Sequence, residues 1–188
     1  MATVTEADTI AGVYVVEPDL HGDERGVFVE TYRREWLPGG REMIQGNRAD
    51  RQHGCVVGLH YHLHQADYWY VPFGRARVVL HDLRLGSPTD GATLTIDLGR
   101  RDDGTHDHRG LFIPPGVAHG FASLTDMTIT YLVDAYYNAA DELGVAWDDD
   151  EIGADWGLTD PVLSRRDQQN PKRADIDHRL RPAWPLRT

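Results

Sequence analysis

Cysteine is all but missing from this chain of 188 residues: Cys55 stands alone, so no internal disulfide can form. Basic residues are scarce beside acidic ones, 19 Lys and Arg against 30 Asp and Glu, for a formal charge of −11. Such a surface repels phosphate backbones and argues against nucleic acid as a partner, while a small anionic substrate stays open if arginines gather in a pocket. No apolar run approaches the length of about 18 residues that a membrane span needs. The opening "MATVTEADTI" has neither the basic nor the apolar stretch of a secretory signal. A soluble, cytoplasmic protein with no membrane association is expected. Helix-length periodic segments are few, and no repeat or low-complexity linker marks a boundary. We therefore expect one domain over 1–188, with a core at about 12–150. The segment 151–188 would pack on that core or on a partner subunit.

What is present is glycine, proline and short β-type runs. Nineteen glycines and ten prolines punctuate the chain. Between them lie "GVYVVEP" (12–18), "GVFVETY" (26–32), "CVVGLHYH" (55–62), "DYWYVPF" (67–73), "ARVVLHDL" (76–83), "ATLTIDL" (92–98), "GLFIPP" (110–115), "GFASL" (120–124) and "TITYLVDAYY" (128–137). Strands at this spacing predict an all-β sandwich or jelly-roll barrel with short peripheral helices. "YRREWL" suits a short helix, and the region after 149 reads as loop with a helical turn. The tail "IDHRLRPAWPLRT" reads as a surface strap or subunit contact. Cys55 is expected as a buried strand thiol, and His106 and His108, in a hydrophilic loop, as solvated.

One stretch carries chemistry. In "GLHYHLHQAD" His60, His62 and His64 alternate, so an extended strand would point all three to one face. The run begins "CVVGL", which places that face inside a barrel, where imidazoles need water, a carboxylate or a metal as partner. The spacing Gly54, His60-x-His62, Asp67, Gly74 resembles the first motif of the cupin superfamily, with aspartate where glutamate is usual. "PPGVAH" (114–119), ending in His119, resembles the core of the second motif. The resemblance implies a cupin double-stranded β-helix. It also implies a site of His60, His62, Asp67 and His119 for one divalent ion, Fe, Mn, Ni or Zn.

A second resemblance covers residues from about 12 to 171. "GDERGVFVETY", "QGN" (45–47), "GLHYH", "DLRLGSPTDG", "FIPPGVAHGFASL", "YLVDAYYN", "AWDDDEIGADW" and "LSRRDQQNP" are together similar to the dTDP-4-dehydrorhamnose 3,5-epimerase family, a metal-free branch of the cupins. The resemblance implies an isomerase, a homodimer exchanging an N-terminal strand, and a nucleotide-linked 4-keto-6-deoxyhexose as substrate. It further implies His60 as base, Asp167 as its carboxylate partner and Tyr131 as proton donor on the opposite face of the sugar. Arg25, Gln45 and Asn47 would contact the nucleotide diphosphate, with Phe28, Glu30 and Tyr137 near the base. No cofactor is expected on this reading.

The chain also departs from that family. Val57 stands where the family has an arginine before the "GLHY" glycine, Asp67 where it has a lysine, and His62 where it has a glutamine. The loop between the histidine strand and "QAD" is about three residues short, which creates the cupin spacing. Two readings of His60 are thus open, as base or as metal ligand. His62 and Asp67 could instead be pocket and turn residues without a metal, and His64 could replace His62. In function, an epimerase, a metal-dependent cupin enzyme such as an Fe(II) oxygenase, and a non-catalytic sugar-binding cupin all stay in play.

Overall fold

A computed structural model describes residues 1–185 of the chain. Fourteen strands alternate with turns among the described residues. They are β1 (Thr3–Glu6), β2 (Tyr14–Glu17), β3 (Leu20–Asp23), β4 (Gly26–Val29), β5 (Gln45–Arg51), β6 (Val56–Tyr61) and β7 (Asp67–Phe73). There follow β8 (Arg75–Asp82), β9 (Thr93–Arg100), β10 (His106–Asp107), β11 (Gly110–Ile113), β12 (Val117–Ser123), β13 (Met127–Val133) and β14 (Leu143–Gly144). Every predicted run holds a strand. β1, β3, β5, β10 and β14 were not foreseen, because none carries an apolar alternation. "YRREWL" contains a single 3-10 turn at Arg34–Trp36.

The strands form two six-stranded antiparallel sheets, in the orders β1-β2-β11-β7-β13-β5 and β10-β9-β8-β12-β6-β14. The fold is the expected jelly roll. Between the sheets, Trp69, Val71, Ile113 and Ile129 of the first pack on Val78, Leu80, Leu98 and Phe121 of the second. Burying each such side chain contributes about 1.5–3 kcal/mol. The strands read as continuous apolar runs because their outer faces are covered too. Val56, Tyr61, Val79 and Ala118, on the outer face of the second sheet, lie under Val145, Ile152, Trp156 and Ile176. On the first sheet Tyr68 and Phe112 lie under Leu37. The C-terminal segment thus closes a face of the barrel. Its tail is tied on by Arg181, which donates to the Leu83 carbonyl at 2.7 Å and pairs with Asp90 at 2.6 Å.

A bulge on β6 sets what faces the interior. Phe121 pairs with Val57 and His119 with His60, so Gly58 and Leu59 oppose the single residue Gly120. Gly58 has φ = +105°, and a Cβ there would lie 2.7 Å from the His119 carbonyl oxygen and 2.9 Å from the Gly120 Cα. Only glycine permits that approach. The extra residue resets the alternation, so Val57 and His60 both face inward while Leu59 and Tyr61 join the outer cluster.

Three expectations change. Strand β6 ends at Tyr61, and the bend at Leu63–His64 turns His64 out to solvent, so His64 does not share the face of His60 and His62. His106 and His108 are half-buried rather than solvated, because β10 edges the sheet: His106 donates to the Val71 carbonyl at 2.8 Å and His108 Nδ1 lies 3.0 Å from the Tyr70 hydroxyl. Cys55 is partly exposed: it precedes β6, forms an isolated bridge with Val162 and exchanges hydrogen bonds with Ser123.

Candidate active site

A cavity open to solvent lies between the two sheets and receives His60, His62, Asp67, His119 and Tyr131. His60 enters from β6 just beyond the bulge. Its Nε2 lies 2.6 Å from Asp167 Oδ1. Asp167 sits on a one-turn 3-10 helix, Asp167–Gln169, in the C-terminal segment and is buried. The backbone exchange of Val162 with Gly54 and Val56, at 2.8 and 3.0 Å, lays that segment beside the start of β6 and delivers the carboxylate. The second oxygen of Asp167 accepts the Gly58 N–H at 3.4 Å. Burial works against the charge of Asp167, yet the bond from His60 holds its carboxyl below the usual range. A carboxylate can only accept, so His60 Nε2 carries the proton and Nδ1 keeps the free lone pair.

Tyr131 enters from β13, in the opposite sheet. Burial pushes its phenol up, Asp67 and Glu142 add to the rise, and Arg51 opposes it. A base and a weak acid therefore face one cavity from its two walls. That arrangement can remove a proton from one side of a carbon and supply one from the other.

His62, Asp67 and His119 form a second group, buried, with one ligand atom from each within 4.8 Å of the others. Asp67 is not a surface carboxylate. Its Oδ1 accepts from Gln65 Nε2 at 2.9 Å and its Oδ2 from Trp69 Nε1 at 3.0 Å. His62 Nδ1 donates to the Asp141 carbonyl at 2.8 Å, and His119 Nδ1 to the Val117 carbonyl at 3.0 Å. Both rings therefore carry lone pairs on Nε2, 3.8 and 4.0 Å from the Asp67 oxygens, and that of His62 accepts from Gln65 Nε2 at 3.1 Å. Burial brings the His119 ring down to about 4, which keeps it neutral. Imidazoles fixed through Nδ1 by carbonyls, with Nε2 turned to a carboxylate, suit a divalent cation. His60 is not part of this group, and its Nε2 is engaged by Asp167.

The remaining candidates spread out. Gln45 and Asn47 lie on the partly buried side of β5, where Gln45 Nε2 donates to Asn47 Oδ1 at 3.0 Å. Tyr137 is exposed, and its N–H donates to Gln45 Oε1 at 3.4 Å. Arg25 and Phe28 stand on the exposed β3–β4 hairpin, Arg25 paired with Asp23. Glu30 pairs with Arg33. In their own chain Arg25, Phe28 and Glu30 lie outside the cavity. Sequence reasoning passed over Arg51, Gln65 and Glu142, which line it. For Arg51 the clue was its even spacing from Gln45 and Asn47. It was obscured because "QGNRADR" has no apolar partner positions.

The family described as dTDP-4-dehydrorhamnose 3,5-epimerase matches residues 7–175. The chain is 33% identical over 177 residues to a dTDP-4-dehydrorhamnose 3,5-epimerase of Shigella flexneri, covering 90% of this chain and 95% of that protein. An enzyme of the same name from Pseudomonas aeruginosa is 34% identical over 176 residues, 89% of this chain and 94% of its own length. Among solved structures, a 4-keto-6-deoxy sugar epimerase from the novobiocin gene cluster of Streptomyces spheroides superposes with a TM-score of 0.87. It is 31% identical, with 98% of this chain and 94% of that one covered. A Legionella pneumophila dTDP-6-deoxy-D-glucose-3,5-epimerase in complex with dTDP-4-keto-L-rhamnose also gives 0.87, at 30% identity, with 98% and 99% covered. None of these relatives supports the oxygenase reading.

Proposed function

The chain belongs to the dTDP-4-dehydrorhamnose 3,5-epimerase family, a family of isomerases, and from that premise we propose that it epimerises a dTDP-linked 4-keto-6-deoxyhexose. The carrying observation is the His60–Asp167 pair at 2.6 Å with Tyr131 on the facing wall of the same cavity. In this reading His60 Nδ1 takes the proton alpha to the ketone, and the electron pair moves into an enolate. Asp167 holds the ring in the tautomer that leaves Nδ1 free and stabilises the imidazolium. Tyr131 then returns a proton to the opposite face and inverts the centre. Gln45 and Asn47 hold the polar part of the substrate. Solvent deuterium wash-in at C3 and C5 of dTDP-4-keto-6-deoxyhexoses tests the reaction. Exchange at either centre is expected, and its absence with all of them would refute the proposal.

A divalent cation held by His62, Asp67 and His119, in place of the Gln65 amide that now bridges His62 and Asp67, is the second element of the proposal, favoured by three ligand atoms within 4.8 Å of one another. When bound it would supply positive charge as a Lewis acid at the wall where Asp67 stands. Metal analysis of protein purified without chelator should find stoichiometric metal, lost in His62→Ala and Asp67→Ala. Full activity in metal-free protein would dispose of it.

We further propose a homodimer of one-domain subunits in the cytoplasm. Val27 and Phe28, 59% and 65% exposed on the β3–β4 hairpin, support a partner there. Through that contact Arg25, Phe28 and Glu30 would reach the neighbouring cavity. The molar mass in solution, measured with Phe28→Ala as control, tests the dimer. No helix among the described residues is long and apolar enough to cross a membrane.

A further inference from the structure

Most arginines of this protein face a carboxylate within 4 Å. Arg51 does not. Among the described residues its side chain donates from Nη1 to the carbonyl of Asp50 at 2.9 Å. The carboxylate of Asp50 is occupied by Arg48 at 3.0 Å and Thr128 at 2.6 Å. Arg51 is partly buried and, among the described residues, is the one guanidinium lining the cavity, which no described lysine lines. Carboxylates meanwhile crowd it: Asp67 and Glu142 line the cavity, and Asp167 is held against His60. An unpaired cation facing such a space is explained by an anionic guest.

Strand β5 says where that guest lies. Its burial alternates, so Gln45, Asn47, Ala49 and Arg51 share the inner side while Gly46, Arg48 and Asp50 are exposed. Two amides and one guanidinium thus form a polar row on the inner side of β5, which reaches the cavity at Ala49 and Arg51. Val57 lines the same cavity from β6 with an apolar side chain. From this placement, and resting on the proposed nucleotide-sugar substrate, we infer that Arg51 holds the diphosphate of the bound ligand, supplying from β5 the charge that β6 lacks at Val57. A diphosphate brings negative charge into a space already bordered by carboxylates, and a guanidinium matches its oxygens as a two-pronged donor. Arg51 is then a substrate-binding residue, and its charge decides that the cavity accepts diphosphate-linked sugars rather than free ones.

Titration calorimetry with dTDP and with thymidine, on wild type, Arg51→Gln and Arg51→Lys, tests this. In Arg51→Gln, dTDP affinity should fall about 10- to 100-fold, as loss of a charged hydrogen bond does, with thymidine binding unchanged. Arg51→Lys, which keeps the charge, should recover most of the affinity. At saturating substrate Arg51→Gln should retain kcat within about threefold while KM rises, the pattern of a lost uniform binding contact. Unchanged dTDP affinity in Arg51→Gln would overturn the assignment. So would equal loss in both variants, which marks packing, or a fall in kcat with dTDP binding intact, which marks action at the reacting carbons. Failure of the wild type to bind dTDP would overturn it as well. Wild-type protein that binds dTDP through Arg51 but shows no deuterium wash-in would refute the proposed reaction and leave this assignment standing.

Discussion

Asp167→Asn isolates what the carboxylate does for His60. The side chain is buried and meets His60 Nε2 at 2.6 Å, so an asparagine fits the same volume. Its amide can present an N–H to Nε2, which would then become the acceptor and pass the ring proton to Nδ1. The nitrogen proposed as base would be blocked. Losing a positioned general base costs about 10²- to 10⁴-fold, equivalent to about 3–5 kcal/mol on the barrier. Wash-in and inversion should fall together by that factor, because both begin with the same proton abstraction, and dTDP binding should persist. Stability gives a second readout. Asp167 has a folded-state pKa held below its unfolded value, so its contribution is present above the unfolded value of about 3.9 and is lost as pH falls through the lower folded value. The difference in melting temperature between wild type and Asp167→Asn should therefore be full near neutrality and shrink on acidification below about pH 4. Wash-in within about threefold of wild type in Asp167→Asn, in a well-folded protein, would refute the orienting role, since a blocked base predicts a loss of at least about 10².

Other outcomes follow from the same geometry. Tyr131→Phe should keep deuterium exchange while losing net inversion by about 10²-fold or more, read by NMR of the sugar ring, because only the second proton transfer is removed. Gly58→Ala should destabilise by about 2 kcal/mol or more in a denaturant titration, since φ = +105° and a backbone oxygen at 2.7 Å leave no place for a methyl group. Trp156→Ala should cost about 3–5 kcal/mol and loosen the C-terminal cover, which limited proteolysis would report, because Trp156 is only 5% exposed and packs on the outer sheet face.

Much of the molecule was readable from its residues. Strand β7 runs over the predicted 67–73, because "DYWYVPF" is rich in aromatic residues and both faces of its buried part, Asp67 to Val71, are covered. β5 was missed for the opposite reason: Arg48 and Asp50 are exposed while Gln45, Asn47 and Arg51 occupy its partly buried side, so neither side is apolar. Period and composition report burial against an apolar core, and they fall silent where a strand lines a ligand cavity.

The histidine stretch divides in the same way. By itself the sequence determined the strand run, the family resemblance, and the candidacy of His60, Asp167, Tyr131, His62, Asp67 and His119, because these depend on residue type and local spacing. Which neighbour each side chain meets depends on contacts across more than a hundred residues, as between His60 and Asp167. The bulge at Gly58 changed which β6 residues face inward, the bend at Leu63–His64 expelled His64, and the C-terminal segment brought Asp167 to His60 Nε2. His60 and the cluster of His62, Asp67 and His119 thereby became separate groups. Strand alternation and motif spacing cannot separate them, because the partner that claims each ring is fixed only when the sheets and the C-terminal segment close on one another.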